Sequence, residues 1–433
     1  MLFRRTNSVK ISNSTLARLF SKNAQGEERK LIKVSDFIHD SLYAKNEGYF
    51  CKPKTQLGFM KDPIPFADIF GYEDYQKLLR ERYPKNAWLT PSEIFKPYYG
   101  MAIANYIDYQ VKMYQDKAAM FRNAPVKIIE VGAGNGSAAV SILNYYKLYR
   151  PRSYKTINYT IVEISDSLIQ KCKEQIQQTH PLLLNPTKPQ VTFVNSSILD
   201  YKQNTPELTF VLLLEVLDNL PHDRLYFDKK NGKLEQAYVD ITDPEKPKEV
   251  RTSKVDPEVI ELYEMWKQIE SVREKAELND KWEVMVMRFY KFMKRIENQD
   301  NVFLPTHCYK MLKLLNSMLP NAHFIFSDFD LLRESRSSLI GHLAPTVSTK
   351  LEQSEDKKDY KDYLVPRGSA DIFFPTDFKL LKMMHSKVTQ KNCQIMKTFE
   401  FVEEYSEREW ATTKSYYNPL KEDFYNTSFF LSK

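Results

Sequence analysis

The spacing of apolar positions changes character near residue 126. Before it, from about Glu28 to Ala124, apolar residues recur every three or four positions, the period of helices that bury one face. Lys33 to Tyr43 and Tyr72 to Arg82 read as helices, separated by a loop around Pro63 and Pro65. In Thr90-Pro91-Ser92-Glu93-Ile94, Thr90 or Ser92 can cap a helix whose first turn holds Pro91 or Glu93, and helical spacing continues over Tyr98 to Tyr114. From Val126 the pattern becomes short, continuous apolar runs: Val126 to Val131, Tyr159 to Ile164, Val191 to Val194 and Phe210 to Leu214. Between them, Ser137 to Leu148 and Asp166 to Gln178 have helical spacing. Strands apolar on both faces, alternating with helices, predict an α/β fold with a mostly parallel sheet covered on both sides.

Residues 243–300 read as a charged, helical insertion outside the sheet, with helices over Glu258 to Lys275 and Trp282 to Glu297. Strand character returns at His323 to Phe326, Ala370 to Phe374 and Lys397 to Val402, while Glu352 to Asp362 mixes acids and bases and reads as a loop. The chain thus divides into a helical N-terminal region (27–124), a core (125–242), the insertion, and the C-terminal part of the same domain (301–433). Leu364-Val365-Pro366-Arg367-Gly368-Ser369 matches a common thrombin linker, but its position deep in the chain marks it as natural sequence.

Composition sharpens this picture. A hydrophobic share of 42% over 433 residues can build a large core and excludes wholesale disorder. The longest apolar run, Phe210 to Leu214, is far short of the roughly 18 to 20 residues of a membrane span. Cys51, Cys172, Cys308 and Cys393 are scattered, with no CxxC, HExxH or GxSxG, so free thiols, no metal site and no serine-hydrolase chemistry are expected. Of the formal charge of +7, five positive charges lie within residues 1–26 (Arg4, Arg5, Lys10, Arg18, Lys22), where no acid occurs. Rich in Ser, Thr and Asn, this stretch has the composition of a mitochondrial presequence, and Arg18-Leu19-Phe20-Ser21 resembles a matrix processing site cut after Phe20. The remaining +2 argues against nucleic acid as a partner.

Glycine is scarce. The chain has 11 where about 30 would be usual, yet three fall at Gly132, Gly134 and Gly136. They follow an apolar strand and precede a helix, where bare backbone lets a ligand approach and free N–H groups await it. A dinucleotide fingerprint would need a third glycine at 137, which is Ser. The spacing Glu130-x-Gly132-x-Gly134-x-Gly136 instead resembles the first motif of class I S-adenosylmethionine (SAM) methyltransferases, which implies that Glu130 lies near the methionine amine. Glu163 ends the next strand, where a carboxylate can accept both ribose hydroxyls. Glu215 and Asp218, in Leu214-Glu215-Val216-Leu217-Asp218-Asn219-Leu220-Pro221, end the most apolar strand and could orient an amine acceptor and take its proton.

Taken together these segments resemble the MidA-like family, whose mitochondrial member methylates an arginine in complex I assembly. Glu215, Asp218, Leu220 and Pro221 match that family's acidic signature, and Thr90-Pro91-Ser92-Glu93-Ile94 its segment upstream of the SAM loop. Phe326-Ser327-Asp328-Phe329, Ala344 to Lys350, and Ala370-Asp371-Ile372 through Asp377-Phe378 match its late segments. The resemblance covers about Trp88 to Val402, with gaps. It implies a class I, Rossmann-like methyltransferase with SAM as cofactor. Glu130, Gly132, Gly134, Gly136, Glu163, Pro91 and Glu93 would serve the cofactor, Glu215 and Asp218 catalysis. The substrate would be a mitochondrial protein, possibly a respiratory complex subunit. Departures stand out: Ala133 and Asn135 replace the family's usual Pro and Arg, Leu214 replaces an Asn, and Phe374-Pro375-Thr376-Asp377 replaces Ala-His-Val-Asp. These keep two alternatives open, a non-catalytic assembly factor of the same fold and an RNA-associated methyltransferase. Nothing in the sequence specifies the oligomeric state.

Overall fold

The computed structural model describes residues 19–22, 28–53, 57–117, 124–228, 231–277, 300–332, 341–351 and 357–432. Near the N-terminus, β1 (Leu19–Lys22) pairs antiparallel with β2 (Glu28–Lys33). Two strands thus occupy stretches expected to be presequence and helical region. The helices follow as expected: α1 (Val34–Tyr43), α2 (Tyr72–Arg82), α3 (Pro91–Ile94) and α4 (Tyr98–Lys117). Pro91 sits at the start of α3, although Thr90 makes no side-chain cap.

The central sheet begins at β3 (Lys127–Val131), which runs into α5 (Ser137–Tyr149) through the glycine turn. A short α6 (Pro151–Tyr154), β4 (Asn158–Val162), α7 (Asp166–Thr179), β5 (Val191–Val194) and β6 (Thr209–Leu214) complete this half. Along β6, Phe210, Leu212 and Leu214 join the core that contains α4 and α5, while Val211 and Leu213 join the opposite one. A strand buried on both faces has nowhere to place polar side chains, which is why this run is continuously apolar.

After β6 the chain leaves the sheet. Strands β7 (Asp223–Phe227), β8 (Leu234–Asp240), β9 (Lys248–Thr252) and β10 (Asn301–Leu304) join β1 and β2 in an antiparallel sheet ordered β1-β2-β8-β7-β10, with β9 on β8. The departure therefore begins near residue 223, earlier than the 243 expected. The expected helix is α8 (Pro257–Glu277), but it is not a polar outlier. Val259, Leu262, Met265, Trp266 and Ile269 are buried in the second core. Of its charges, Glu264 and Lys267 are exposed. Trp282 to Glu297 lies outside the described residues.

The chain returns through α9 (Thr306–Met318) to β11 (Ala322–Phe329), parallel to β6. A three-stranded sheet follows, with β12 (Thr346–Lys350) between β13 (Lys357–Asp359) and β14 (Asp371–Phe373). Part of the expected 352–362 loop is thus a strand. The helix α10 (Phe378–Thr389) then leads to β15 (Cys393–Lys397). The strand expected over Lys397 to Val402 is instead helix α11 (Thr398–Tyr405). Thr398, Phe401, Val402 and Tyr405 are buried at helical spacing, and the Glu400 carboxylate accepts the Lys397 N–H at 2.6 Å. A last short helix, α12 (Pro419–Glu422), precedes β16 (Thr427–Ser432).

The finished sheet is ordered β15-β16-β11-β6-β3-β4-β5. Only β16 runs against the others. It is mostly parallel, as expected, with one reversed strand near its edge.

Candidate active site

In an open parallel sheet, ligands bind beyond the carboxyl ends of the strands, where the strand order reverses. Here β3 starts the sheet and its neighbours β4 and β6 lead outward in opposite directions. A cleft lies at that point, lined by the glycine turn and the ends of β4, β5 and β6. It holds about 1170 Å³ of empty space, part of it open to solvent.

The glycine turn forms one wall. Gly132, Gly134 and Gly136 all have left-handed φ, at 69°, 55° and 87°. Gly132 and Gly134 line the cleft. A Cβ on Gly134 would lie 2.8 Å from Leu57 Cδ2, a side chain that also lines it. Gly136 has another task, because its Cβ would meet Cys172 Sγ at 2.6 Å, so it lets α5 pack against α7 and does not reach the ligand space.

Glu163 and Glu130 flank this turn. Each Glu163 oxygen accepts one backbone N–H, from Gly134 at 3.1 Å and Ser165 at 2.9 Å, leaving lone pairs for a diol. Burial pushes its carboxyl up to about 6 against the opposing pull of these N–H groups. Glu130 accepts the Tyr159 hydroxyl at 2.7 Å, and burial raises it to about 7. Glu93 also lines the cleft, but protein groups occupy both its oxygens: Met60 N–H at 2.6 Å and Lys96 Nζ at 2.5 Å on one, the Ser137 hydroxyl on the other. It fastens α3 to the first residue of α5 and shapes the cleft. Pro91 is buried beside it and does not face the cleft.

The two expected catalytic acids separate. Glu215 has φ 55°, a left-handed turn unusual for a side-chain-bearing residue, and lines the cleft. Asp218 lies behind it, only 6% exposed, and does not line the cleft. Its N–H donates to Asp328 Oδ2 at 3.1 Å, its carbonyl accepts from Phe374 N–H at 2.8 Å, and its Oδ1 has no partner among the described residues. Asp371 accepts the Asn219 amide at 2.8 Å. Burial, then neighbouring carboxylates, raises Glu215 and Asp218 well above the usual range, and burial raises Asp328 and Asp371 to about 7. Asp328 and Asp371 hold the acidic loop in shape; their sequence segments were legible, their roles were not.

Sequence reasoning missed the wall that faces these groups. His39 and Tyr43 of α1, Phe50 and His307 of α9 also line the cleft. The Tyr43 hydroxyl donates to the Asn219 carbonyl at 3.2 Å. Isolated aromatic residues in helices carry no local mark that sets them apart from core. Asn135 lines the cleft too, with Nδ2 on the Gly58 carbonyl at 2.6 Å and Oδ1 buried without a partner among the described residues.

A mostly parallel α/β sheet, a glycine turn and a ribose-ready carboxylate at the next strand end define a nucleoside-cofactor protein. Residues 103–397 match the profile of a family described as "Putative S-adenosyl-L-methionine-dependent methyltransferase", and the chain belongs to that family. Among solved structures it is similar to one described as "a COG1565 superfamily member and likely methyl transferase from Burkholderia thailandensis bound to S-adenosyl-homocysteine". That chain is 14% identical, with 93% of this chain and 88% of that one covered and a TM-score of 0.54. A native crystal structure of an uncharacterized COG1565 superfamily protein from Burkholderia thailandensis is 13% identical, with 93% of this chain and 87% of that one covered and a TM-score of 0.53. These likenesses concern the fold. No curated protein matches the chain.

SAM is the cofactor of this family, and the residues present fit it. Glu163 suits its ribose and Glu130 its amine, while the glycine turn admits its backbone-like methionine part. The orphaned Asn135 Oδ1 and Ser196 Oγ, both in lining residues, await hydrogen-bond partners. No helix among the described residues is long and apolar enough to cross a membrane, and no group of described His, Cys, Asp and Glu residues could hold a metal ion.

Proposed function

We propose that this methyltransferase acts on a protein side-chain nitrogen, an arginine guanidinium, in the mitochondrial matrix, in support of assembly of a respiratory or other mitochondrial complex. One observation carries the substrate class. Among the described residues, Glu215 lines the cleft without a hydrogen-bond partner, backed by Asp218, Asp328 and Asp371, and no Lys or Arg forms an ion pair with the set. A guanidinium would supply the missing charge and bind carboxylates through paired hydrogen bonds.

Bound SAM supplies an electrophilic methyl group on a sulfonium. The chain's own residues do the rest. Glu163 and the glycine turn fix the cofactor, so that the acceptor need only be held in line. Glu215 accepts the acceptor's N–H and takes its proton as the nitrogen becomes bonded to carbon. Burial and the neighbouring Asp328 keep Glu215 basic, and Asp218 holds the loop through its own backbone.

The test is incubation of purified protein with methyl-labelled SAM and mitochondrial extract, followed by mass spectrometry. Labelled methylarginine is expected; label on another residue would overturn the substrate. SAM binding with no label on any protein would favour the non-catalytic assembly factor. The compartment rests on the basic, acid-free residues 1–26. A reporter fused to residues 1–30 should enter mitochondria, and a cytosolic reporter would overturn that part.

A further inference from the structure

Glu215 acts only on a nitrogen that reaches it from outside, so the acceptor needs a way in past the residues around the cleft. Leu57 and Thr90 both line it. Leu57 pairs with Trp88 in an isolated parallel β-bridge, and the N–H of Gly58 donates to the Trp88 carbonyl at 2.7 Å. These contacts fix Trp88 directly behind the lining residues, two positions before Thr90. Its indole N–H donates to the Tyr49 hydroxyl at 3.2 Å, which orients the ring and leaves its faces for other contacts.

Tyr83 is the second ring of this wall. Its hydroxyl accepts the Leu89 N–H at 3.1 Å. Burial raises that hydroxyl above the usual phenol range, the Leu89 N–H opposes the rise, and the Glu215 charge adds to it. The ring thus stands within electrostatic reach of the cleft carboxylate. Tyr83 and Trp88 are both part-buried, so each keeps some surface toward solvent. A cation already occupies the pair. Lys350, the last residue of β12, holds its ammonium 4.5 Å from the Trp88 ring centroid and 5.3 Å from that of Tyr83. Both distances fall within the roughly 6 Å over which a ring face attracts a cation.

We propose that Tyr83 and Trp88 form the portal for the acceptor's cationic side chain, and that Lys350 holds this place until the acceptor displaces it. The proposal rests on the reading of Glu215 as the group that receives the acceptor. Two rings that attract one ammonium, beside acids without an ion pair among the described residues, offer a guanidinium a continuous path to Glu215. Its flat face rests on the rings while its end pairs with the carboxylate. A neutral side chain gains nothing from the ring quadrupoles, so the portal selects charge. Lys350 competes for the same faces and sets a threshold that weakly bound cations do not pass. The rings take no part in methyl transfer; they raise occupancy of the acceptor site.

The experiment is calorimetry on the full chain saturated with S-adenosyl-homocysteine, with the peptide Gly-Gly-Arg-Gly-Gly and its neutral citrulline counterpart as probes. Lys350→Met is expected to bind the arginine peptide roughly threefold more tightly than wild type, and Trp88→Leu roughly tenfold more weakly. The citrulline peptide should respond to neither change. A Trp88→Leu that weakens both peptides alike marks a merely structural ring and would overturn the portal. So would a Lys350→Met whose affinity for the arginine peptide is unchanged or lower. Glu215→Gln separates the portal from the reading beneath it. Arginine binding that is lost there but unmoved at positions 88 and 350 keeps the acceptor site and removes the portal. Binding that follows Trp88 and Lys350 but not Glu215 keeps the portal and removes the role of the acid. An arginine peptide that binds neither wild type nor Lys350→Met overturns both. Should Trp88→Leu not fold, Trp88→Phe keeps a smaller ring and should show an intermediate loss confined to the charged peptide.

Discussion

The Gly134 N–H donates to Glu163 Oε2 at 3.1 Å, tying the middle of the glycine turn to the carboxylate at the end of the neighbouring strand. The two motifs are 29 residues apart in sequence, and one hydrogen bond makes them a single device. Glu163 thus both shapes the turn and offers itself to the ribose.

Glu163→Gln should therefore weaken S-adenosyl-homocysteine binding by roughly 1.5 to 3 kcal/mol, the scale of a hydrogen bond to a charged group, or about ten- to a hundredfold. The carboxyl of wild type sits at about 6, so affinity should also decline as pH falls from 7.5 to 5.5. The variant should show a smaller decline, the remainder belonging to Glu130, which is raised to about 7. Calorimetry at the two pH values checks both, and a pH-independent wild type would exclude Glu163 as the acceptor.

Gly134 and Gly136 should fail in different ways. Ala at either Gly134 or Gly136 adopts an unfavourable left-handed backbone, about 1–2 kcal/mol. At Gly136 the added Cβ also meets Cys172 at 2.6 Å from Sγ and 3.2 Å from the rigid Cα, between two packed helices. At Gly134 it meets only the end of Leu57. Gly136→Ala should lower the melting temperature more, while Gly134→Ala should lose cofactor affinity out of proportion to stability. The opposite ranking would contradict the assigned roles.

How much of this was legible follows from the range of each signal. The glycine turn, Glu130, Glu163 and the strands around them are local patterns, and they stand where the sequence suggested. Glu93 and Gly136 were visible as motif members, but what they touch, Ser137 and Cys172, depends on packing between distant segments. The antiparallel sheet was hidden for a similar reason. Asp223 to Phe227 alternates weakly and finds its partners at Asn301 to Leu304, with α8 between them. Lys397 to Val402 reads as a strand because Phe399 and Phe401 alternate, although Phe399 is exposed and the buried set is helical.

The thrombin-like segment offers a probe of the native state. The Arg367 guanidinium pairs with Asp40 and with Glu47 at 2.6 Å, the Gly368 N–H donates to the Ser41 carbonyl at 3.0 Å, and Val365 is buried. A protease must pull such a segment into extended form, which requires local opening. Thrombin should leave the folded chain intact and cleave after Arg367 only as denaturant approaches the unfolding transition. Rapid cleavage under native conditions, read on a gel, would show that this segment is not held as described.

The acidic cluster should set the response of stability to pH. Glu130, Asp328 and Asp371 stand at about 7 and Glu163 at about 6, with Glu215 and Asp218 higher than usual as well. A carboxyl raised on folding binds its proton more tightly in the native state. Its contribution is present at low pH and is lost as pH rises from about 4 through the folded value. The buried histidines act in the opposite sense. His180 and His385 are lowered to about 4 and His222 to about 3, so their contribution is lost as pH falls below about 6.5. The two sets oppose one another between about 4 and 6.5, and above that range only the acids titrate. Ligand-free protein should therefore lose stability between pH 6.5 and 8, by up to about 1.4 kcal/mol per pH unit for each proton released. Asp218→Asn removes one carboxylate from the cluster and its repulsion with Asp328, Asp371 and Glu215. It should be more stable than wild type at pH 8, with a shallower slope, while keeping S-adenosyl-homocysteine affinity within a few-fold and losing most methyl transfer. Urea unfolding at the two pH values, paired with calorimetry, checks each part. A wild-type stability that holds or rises toward pH 8 would mean that the cluster is already offset by charge, and the case for a cationic acceptor would fall with it.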